Sequence, residues 1–477
     1  MRAIGRFAIA AALVADALTG AGIATVLPSA AVDVAVDLTA TALYMGGTGH
    51  TLTIPGPDPP SYIDRYVDWA YDNFVGPSEL CGVSCTPTAV YTPAEFWPNT
   101  GLDSLTFDES VAIGLVNLED CLGHRPCTVT DPPYTSSGVQ ILGGPDFTVF
   151  GYSDSATIAS IAKSNLIAHP PAGVVTFVLV SSGNRPNGGI LERFVGVHLP
   201  ILGVTFNGAT VTNSPQPTPL TTVDVVHQYD LVADFPTNPL NLLAALNALI
   251  EFAYDHPEFR TGTPMLQGQF QDSTYYMFPA ETLPLVRPLT AVPYLGPLLA
   301  TVLDPPLRVL VEAGYDRTIN PGAPTPAKYL YFPNPITTAV NFLVAVPTGW
   351  DNGIAYLTGD PANRPFHTTP QGPYGVGGPP VNAGAVDPYG PPTPLATTVA
   401  IPAVPPAPSS AARPAPSEEL RRQPASSSLR HSSLMERGRA ARHRAQTVDP
   451  TGARSATLNR SAASSTEPLR KRAWSAQ

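Results

Sequence analysis

Charge is scarce in this chain: Asp, Glu, Lys and Arg make up 13% of its 477 residues. Long apolar runs are missing too. A spanning helix needs ~20 consecutive apolar residues, and nothing after the N-terminal segment supplies them, so the sequence predicts no membrane-spanning helix in the body. Cysteine is limited to Cys81, Cys85, Cys121 and Cys127. Their C-x3-C and C-x5-C spacings lack the tight C-x2-C knuckle of structural zinc sites, which argues against a metal. A phosphate-cradling loop is absent as well. The turn Met45-Gly46-Gly47-Thr48-Gly49-His50 has neither the G-x-G-x-x-G spacing nor a Lys-Ser/Thr ending. Nothing in these patterns calls for a cofactor.

What is present begins with an export signature. Met1-Arg2-Ala3-Ile4-Gly5-Arg6 leads into the apolar Phe7 to Val14 and then to the small residues Pro28-Ser29-Ala30-Ala31. That is the charged, apolar, small-residue order of a secretory signal. It predicts a secreted or envelope-associated protein cleaved near Ala31, with an uncleaved membrane anchor over residues 1–31 as the alternative. In an exported chain an even number of cysteines reads as disulfides. The local pairs Cys81–Cys85 and Cys121–Cys127, both in loop-like sequence, are the simplest of three connectivities. Cross-links between the two segments are the alternative.

The formal charge of −11 is unevenly spread: residues 417–477 carry +7, leaving −18 for the rest. An acidic folded part argues against nucleic acid as its partner. The folded body is expected over residues 35–360. Residues 361–416 are dense in Pro, Gly and Ala, and residues 417–477 are Ser/Arg-rich without apolar periodicity. Neither stretch buries enough apolar surface to offset its ordering entropy, so both read as disordered, a linker and a solvated basic tail.

Within the body, apolar runs at residues 39–45, 147–150, 174–180 and 223–226 read as strands. They alternate with helical patterns at residues 155–166 and 240–254. This βαβα order predicts an α/β fold, a mostly parallel sheet with helices on both faces. In the second helix Leu242, Leu243, Leu246, Leu249, Ile250 and Ala253 share the helical period and form one apolar face.

Gly151-Tyr152-Ser153-Asp154-Ser155 stands between a strand pattern and a helix pattern. That is the setting of a nucleophile elbow, in which a strained turn exposes a serine hydroxyl and small residues flank it. Ser155 departs from the usual glycine. A serine nucleophile needs a base and an orienting carboxylate, which in this kind of fold follow in the order acid, then histidine. Of His169, His198, His227 and His256, only His256 lies late enough. Asp230, closest to the end of the 223–226 strand, is the preferred acid over Asp234, whose other role would be to cap the helix beginning near Pro239. Asp255, adjacent to His256, points elsewhere from a helix end. The N–H of Asp154 and an N–H of Gly47 or Thr48 are the candidates for an oxyanion hole.

These words resemble a known family, the PE-PPE C-terminal domain of mycobacteria and relatives, a serine α/β-hydrolase similar to cutinases. The resemblance rests on Gly46-Gly47-Thr48-Gly49, the elbow with Ala156, and Tyr229-Asp230-Leu231-Val232-Ala233-Asp234-Phe235-Pro236 with His256 beyond it. It continues through Tyr275-Tyr276, Thr282-Leu283-Pro284-Leu285 and Gly314-Tyr315-Asp316. It implies an α/β-hydrolase fold and activity on carboxylic esters, with Ser153 as nucleophile, Asp230 as acid and His256 as base. It also implies that the Leu/Pro-rich segment 279–310 covers or borders the active site. Family members often carry an N-terminal PE or PPE module, where this chain has a signal-like segment. The expected function is an exported serine esterase acting on acyl-ester or lipid substrates. An acyltransferase with the same residues, or a catalytically silent envelope or host-interaction module, are the alternatives.

Overall fold

The computed structural model describes residues 40–82, 85–215, 220–256 and 262–381. The segment 1–31, the tail 417–477 and residues 382–416 of the expected linker lie outside the described residues. In chain order the first half forms β1 (Ala40–Tyr44), α1 (Pro60–Ala70), a π-helical turn (Tyr71–Val75), α2 (Gly76–Ser78), β2 (Cys85–Val90), α3 (Phe107–Leu122), β3 (Cys127–Thr130), β4 (Ser137–Gln140), β5 (Phe147–Tyr152) and α4 (Asp154–Ala168). The second half adds β6 (Val175–Val180), α5 (Ile190–Arg193), β7 (His198–Leu199), β8 (Val204–Thr205), β9 (Thr222–His227), α6 (Leu242–Tyr254), β10 (Met265–Phe270), β11 (Ser273–Phe278), a 3-10 helix (Pro284–Ala291), α7 (Leu295–Glu312) and α8 (Pro335–Thr358).

The described strands other than the β7–β8 hairpin build one sheet in the order β10-β11-β9-β6-β5-β1-β2-β3-β4. Pairing is parallel from β11 to β2 and antiparallel at both edges. The fold is the expected α/β type. Side chains alternate across the sheet, so both faces must be covered. On one face Leu43, Val149 and Phe177 meet Leu118 of α3 and Ile158 and Ala159 of α4. On the other, Tyr44, Phe150 and Val180 meet Ile63, Tyr66 and Val67 of α1. Burying each such side chain stabilises the fold by roughly 1.5–3 kcal/mol.

The chain runs from β1 outward to β4, then returns to the other side of β1 with β5 and proceeds the opposite way. The crevice beyond the carboxyl ends of β1 and β5 is therefore the switch point where ligands bind in such sheets. The Gly46–His50 turn and Ser153 both emerge there.

Two expectations need correction. The cysteines pair locally, Cys81 with Cys85 and Cys121 with Cys127, but Cys85 and Cys127 open strands and Cys121 lies in α3, not in loops. These strands are short and edge-proximal, with little apolar run to announce them.

Order also continues past Asp360. Asp351 accepts the N–H groups of Phe366 and Thr368 at 2.8 and 2.9 Å, and the Pro373 carbonyl accepts from Gln228 and Arg308. Tyr374 is buried. Side-chain ties to backbone, which composition does not reveal, fix residues 361–381 of the expected linker on the body.

The apolar face of α6 points outward: Leu242 is 77% exposed and Leu249 54%. The buried face is Ala244, Asn247, Ala248 and Glu251. At Ala244 small size is required. A Cβ on Gly314 would stand 2.7 Å from the Ala244 Cβ, so α6 and the end of α7 approach too closely for leucine. No helix among the described residues is long and apolar enough to cross a membrane.

Candidate active site

Ser153 occupies the junction between β5 and α4 with φ 58° and ψ −115°, in the strained region a nucleophile elbow requires. Gly151 makes the turn possible, since a Cβ there would meet the Ser155 carbonyl at 2.7 Å and the Ala156 Cα at 2.8 Å. Ser155 has a use of its own. Its Oγ accepts from the Tyr152 N–H at 2.9 Å and donates to the Tyr152 carbonyl at 3.0 Å, closing the turn where the motif usually has glycine.

His256 follows α6 by one residue and is 6% exposed. Its Nε2 lies 2.9 Å from Ser153 Oγ, and its Nδ1 lies 3.0 Å from Asp230 Oδ1. Asp230 sits fully buried in the turn after β9, where Oδ1 also accepts the Val232 N–H at 2.8 Å. Burial alone would raise its pKa, but the charge and hydrogen bond of His256 outweigh that and hold the carboxyl below its usual range. The imidazole is wedged between aromatic rings, Phe252 at 4.8 Å and Tyr152 at 5.7 Å.

The rejected candidates have other partners. Asp234 accepts the Tyr229 N–H at 2.8 Å and pairs with Arg317 at 2.7 Å. It is not a helix cap: Asn241 caps α6 by accepting the Ala244 N–H. Asp255 is paired with Arg287 of the 3-10 helix. His198 bonds Thr205 in the exposed β7–β8 hairpin, and His227 Nδ1 lies 3.9 Å from Glu251. Sequence reasoning missed Tyr152, Phe252 and Arg287 as neighbours of this site. Tyr152 carried a signal, since it directly precedes the elbow serine.

Asp154 opens α4, where the helix dipole favours negative charge at its N–H groups. Burial pushes its carboxyl up to about 7, against the pull of the Ser155 N–H and the charges of His256 and His50. The Gly46–His50 turn leans on the elbow. A Cβ on Gly47 would lie 2.9 Å from the Tyr152 ring, so glycine allows this approach. The segment 279–310 divides into the 3-10 helix, a break at residues 292–294, and α7. Leu283 and Val286 are core, whereas Tyr294, Leu295 and Leu299 are exposed.

A model of the PE-PPE domain family matches residues 84–316. Residues 84–316 are thus similar to the PE-PPE domain. Ser153, Asp230 and His256 all fall within the matched stretch; the Gly46–His50 turn precedes it. Similar curated proteins come from Mycobacterium tuberculosis. An uncharacterized PPE family protein, PPE42, is 38% identical over 60% of this chain and 46% of its own length. Esterase PE16 is 38% identical over 60% of this chain and 51% of its own. SL1278 acyltransferase Chp1 is 30% identical over 51% of this chain and 56% of its own. The chain thus spans about half the length of the curated relatives it matches.

Proposed function

We propose that this PE-PPE-like domain is an exported serine hydrolase of carboxylic esters with acyl chains, working through an acyl-enzyme. The observation that carries the reading is the hydrogen-bonded line Ser153 Oγ, His256 Nε2, His256 Nδ1, Asp230 Oδ1, at 2.9 and 3.0 Å on a strained elbow.

In the first step Ser153 Oγ attacks the ester carbonyl carbon as His256 Nε2 takes the hydroxyl proton. Buried Asp230 holds the imidazole with its proton on Nδ1 and stabilises the cation that forms. The carbonyl becomes an oxyanion, received by the Asp154 N–H and an N–H of the Gly47/Thr48 turn. Collapse breaks the bond to the alcohol, which leaves with the proton from His256. Water, deprotonated by His256, then attacks the acyl carbon, releases the acid and restores Ser153.

Similarity to a protein named an esterase supports this reading. The relative named an acyltransferase supports a second one, in which a hydroxyl replaces water in the deacylation step. Hydrolysis of p-nitrophenyl esters of graded acyl length, by the full chain beside its Ser153→Ala variant, tests the shared chemistry. Turnover that disappears in the variant is expected, and turnover that persists would refute the role of Ser153. Product analysis with an added hydroxyl acceptor separates the two fates of the acyl group.

A further inference from the structure

A second imidazole–carboxylate pair stands beside the elbow, and the chemistry above makes no use of it. His50 closes the glycine-rich turn after β1, and its Nδ1 lies 2.8 Å from Asp58 Oδ1. Asp58 is buried, with its side chain 4% exposed, and its Oδ2 accepts the Leu52 N–H at 3.0 Å. The imidazole lies flat on Tyr62, with ring centroids 4.4 Å apart and planes 15° apart. The turn itself is clamped, His50 N–H donating to Gly47 and Gly49 N–H to Ala94. The ring is thus fixed in position and tautomer by a buried acid and an aromatic face, as a working imidazole is.

Unlike His256, this ring is open: the His50 side chain is 41% exposed, and among the described residues Nε2 has no partner. It is also near the reacting centre. Gly47 of the same turn packs against Tyr152, the residue that precedes the nucleophile. A carboxylate at Nδ1 leaves Nε2 an acceptor when the ring is neutral and a donor when it is charged. A hydroxyl suits either state, because it both donates and accepts. An unbranched acyl chain offers nothing to such a group, so in a simple ester the matching half is the alcohol.

Resting on the esterase reading, we infer that His50, held by Asp58, is the polar subsite for the alcohol half of the ester and selects alcohols that carry further hydroxyl groups. The leaving alcohol of hydrolysis and the accepting alcohol of acyl transfer share this place, since transfer of the acyl group from Ser153 to an alcohol is the reverse of the step in which an ester acylates Ser153 and loses its alcohol. His50 acts on selectivity between alcohols, not on the attack by Ser153.

The test compares glycerol monooctanoate, with two free hydroxyls, and propyl octanoate, with none, as substrates of the full chain. The wild type should prefer the glycerol ester. In His50→Phe, which keeps a ring for Tyr62 and removes the nitrogen, the kcat/KM ratio of the two esters should fall about 10-fold, the worth of one hydrogen bond to a polar group in a site. His50→Gln, which can place an amide where Nε2 stood, should restore part of the preference. Asp58→Asn should lower the ratio in the same direction. A ratio unchanged in His50→Phe, or both esters falling in parallel in all three variants, would overturn the subsite. Wild-type turnover that survives Ser153→Ala would instead overturn the esterase reading on which the subsite rests.

Discussion

The Tyr152 hydroxyl donates to the backbone carbonyl of His256 while the Tyr152 ring lies against the same imidazole at 5.7 Å. One side chain therefore ties the residue before the nucleophile to the proposed base. Removing the hydroxyl leaves a buried carbonyl without its donor, a loss of about 1–3 kcal/mol. Tyr152→Phe is expected to lower kcat about 10-fold with a smaller change in KM, because the imidazole drifts from Ser153. Steady-state kinetics beside a thermal melt reads this, and an unchanged kcat would remove Tyr152 from the positioning of His256.

Asp230 and Asp234, four residues apart, should separate cleanly. Asp230 faces His256, whereas Asp234 holds Arg317 and the Tyr229 N–H. Asp230→Asn is expected to lower kcat roughly 10⁴-fold in a folded protein, through the wrong imidazole tautomer. Asp234→Asn leaves Arg317 buried without this partner and should cost about 3 kcal/mol of stability with kcat changed only a few-fold. Kinetics and urea unfolding on both variants distinguish the two roles.

Much of this was legible beforehand, and the reasons differ by element. The central strands were readable because parallel strands buried on both faces are continuous apolar runs. Ser153, Asp230 and His256 could be named because the elbow is a local turn with local spacing rules and few histidines follow it. The direction of α6 was not legible: its leucines mark one face by period, yet the close approach of Gly314 and Ala244 puts the Ala244 face inside. Such a contact joins residues seventy positions apart in the chain. The order of residues 361–381 escaped for the same reason, since Tyr374 and Pro373 are held by Gln267, Gln228 and Arg308.

The α6 arrangement has a direct check. Leu249→Ser on the exposed face should change stability by less than about 1 kcal/mol. Ala244→Leu would overpack the contact with Gly314 and should cost about 1–3 kcal/mol. Urea unfolding measures both, and the reverse ranking would mean that α6 turns its leucines inward.

Asp154 predicts a pH dependence of stability. Its folded pKa, raised from 3.8 to about 7 by burial, lies above the unfolded value. Its contribution is therefore fully present below pH ~4 and lost as pH rises toward about 7. In Asp154→Asn this loss is absent. Relative to wild type, the variant should gain on the order of 3 kcal/mol between pH 4 and pH 7.5, seen as a difference between two urea midpoints at each pH. A constant difference across that window would show that the carboxyl is ionised throughout.

The most direct test of the account is covalent labelling of the full chain with a fluorophosphonate, followed by mass spectrometry of its peptides. A single phosphonyl adduct on Ser153, formed faster than on any other serine and suppressed in His256→Ala, is the predicted result. A folded protein that gains no adduct, or gains it on another serine, would contradict Ser153 as an activated nucleophile.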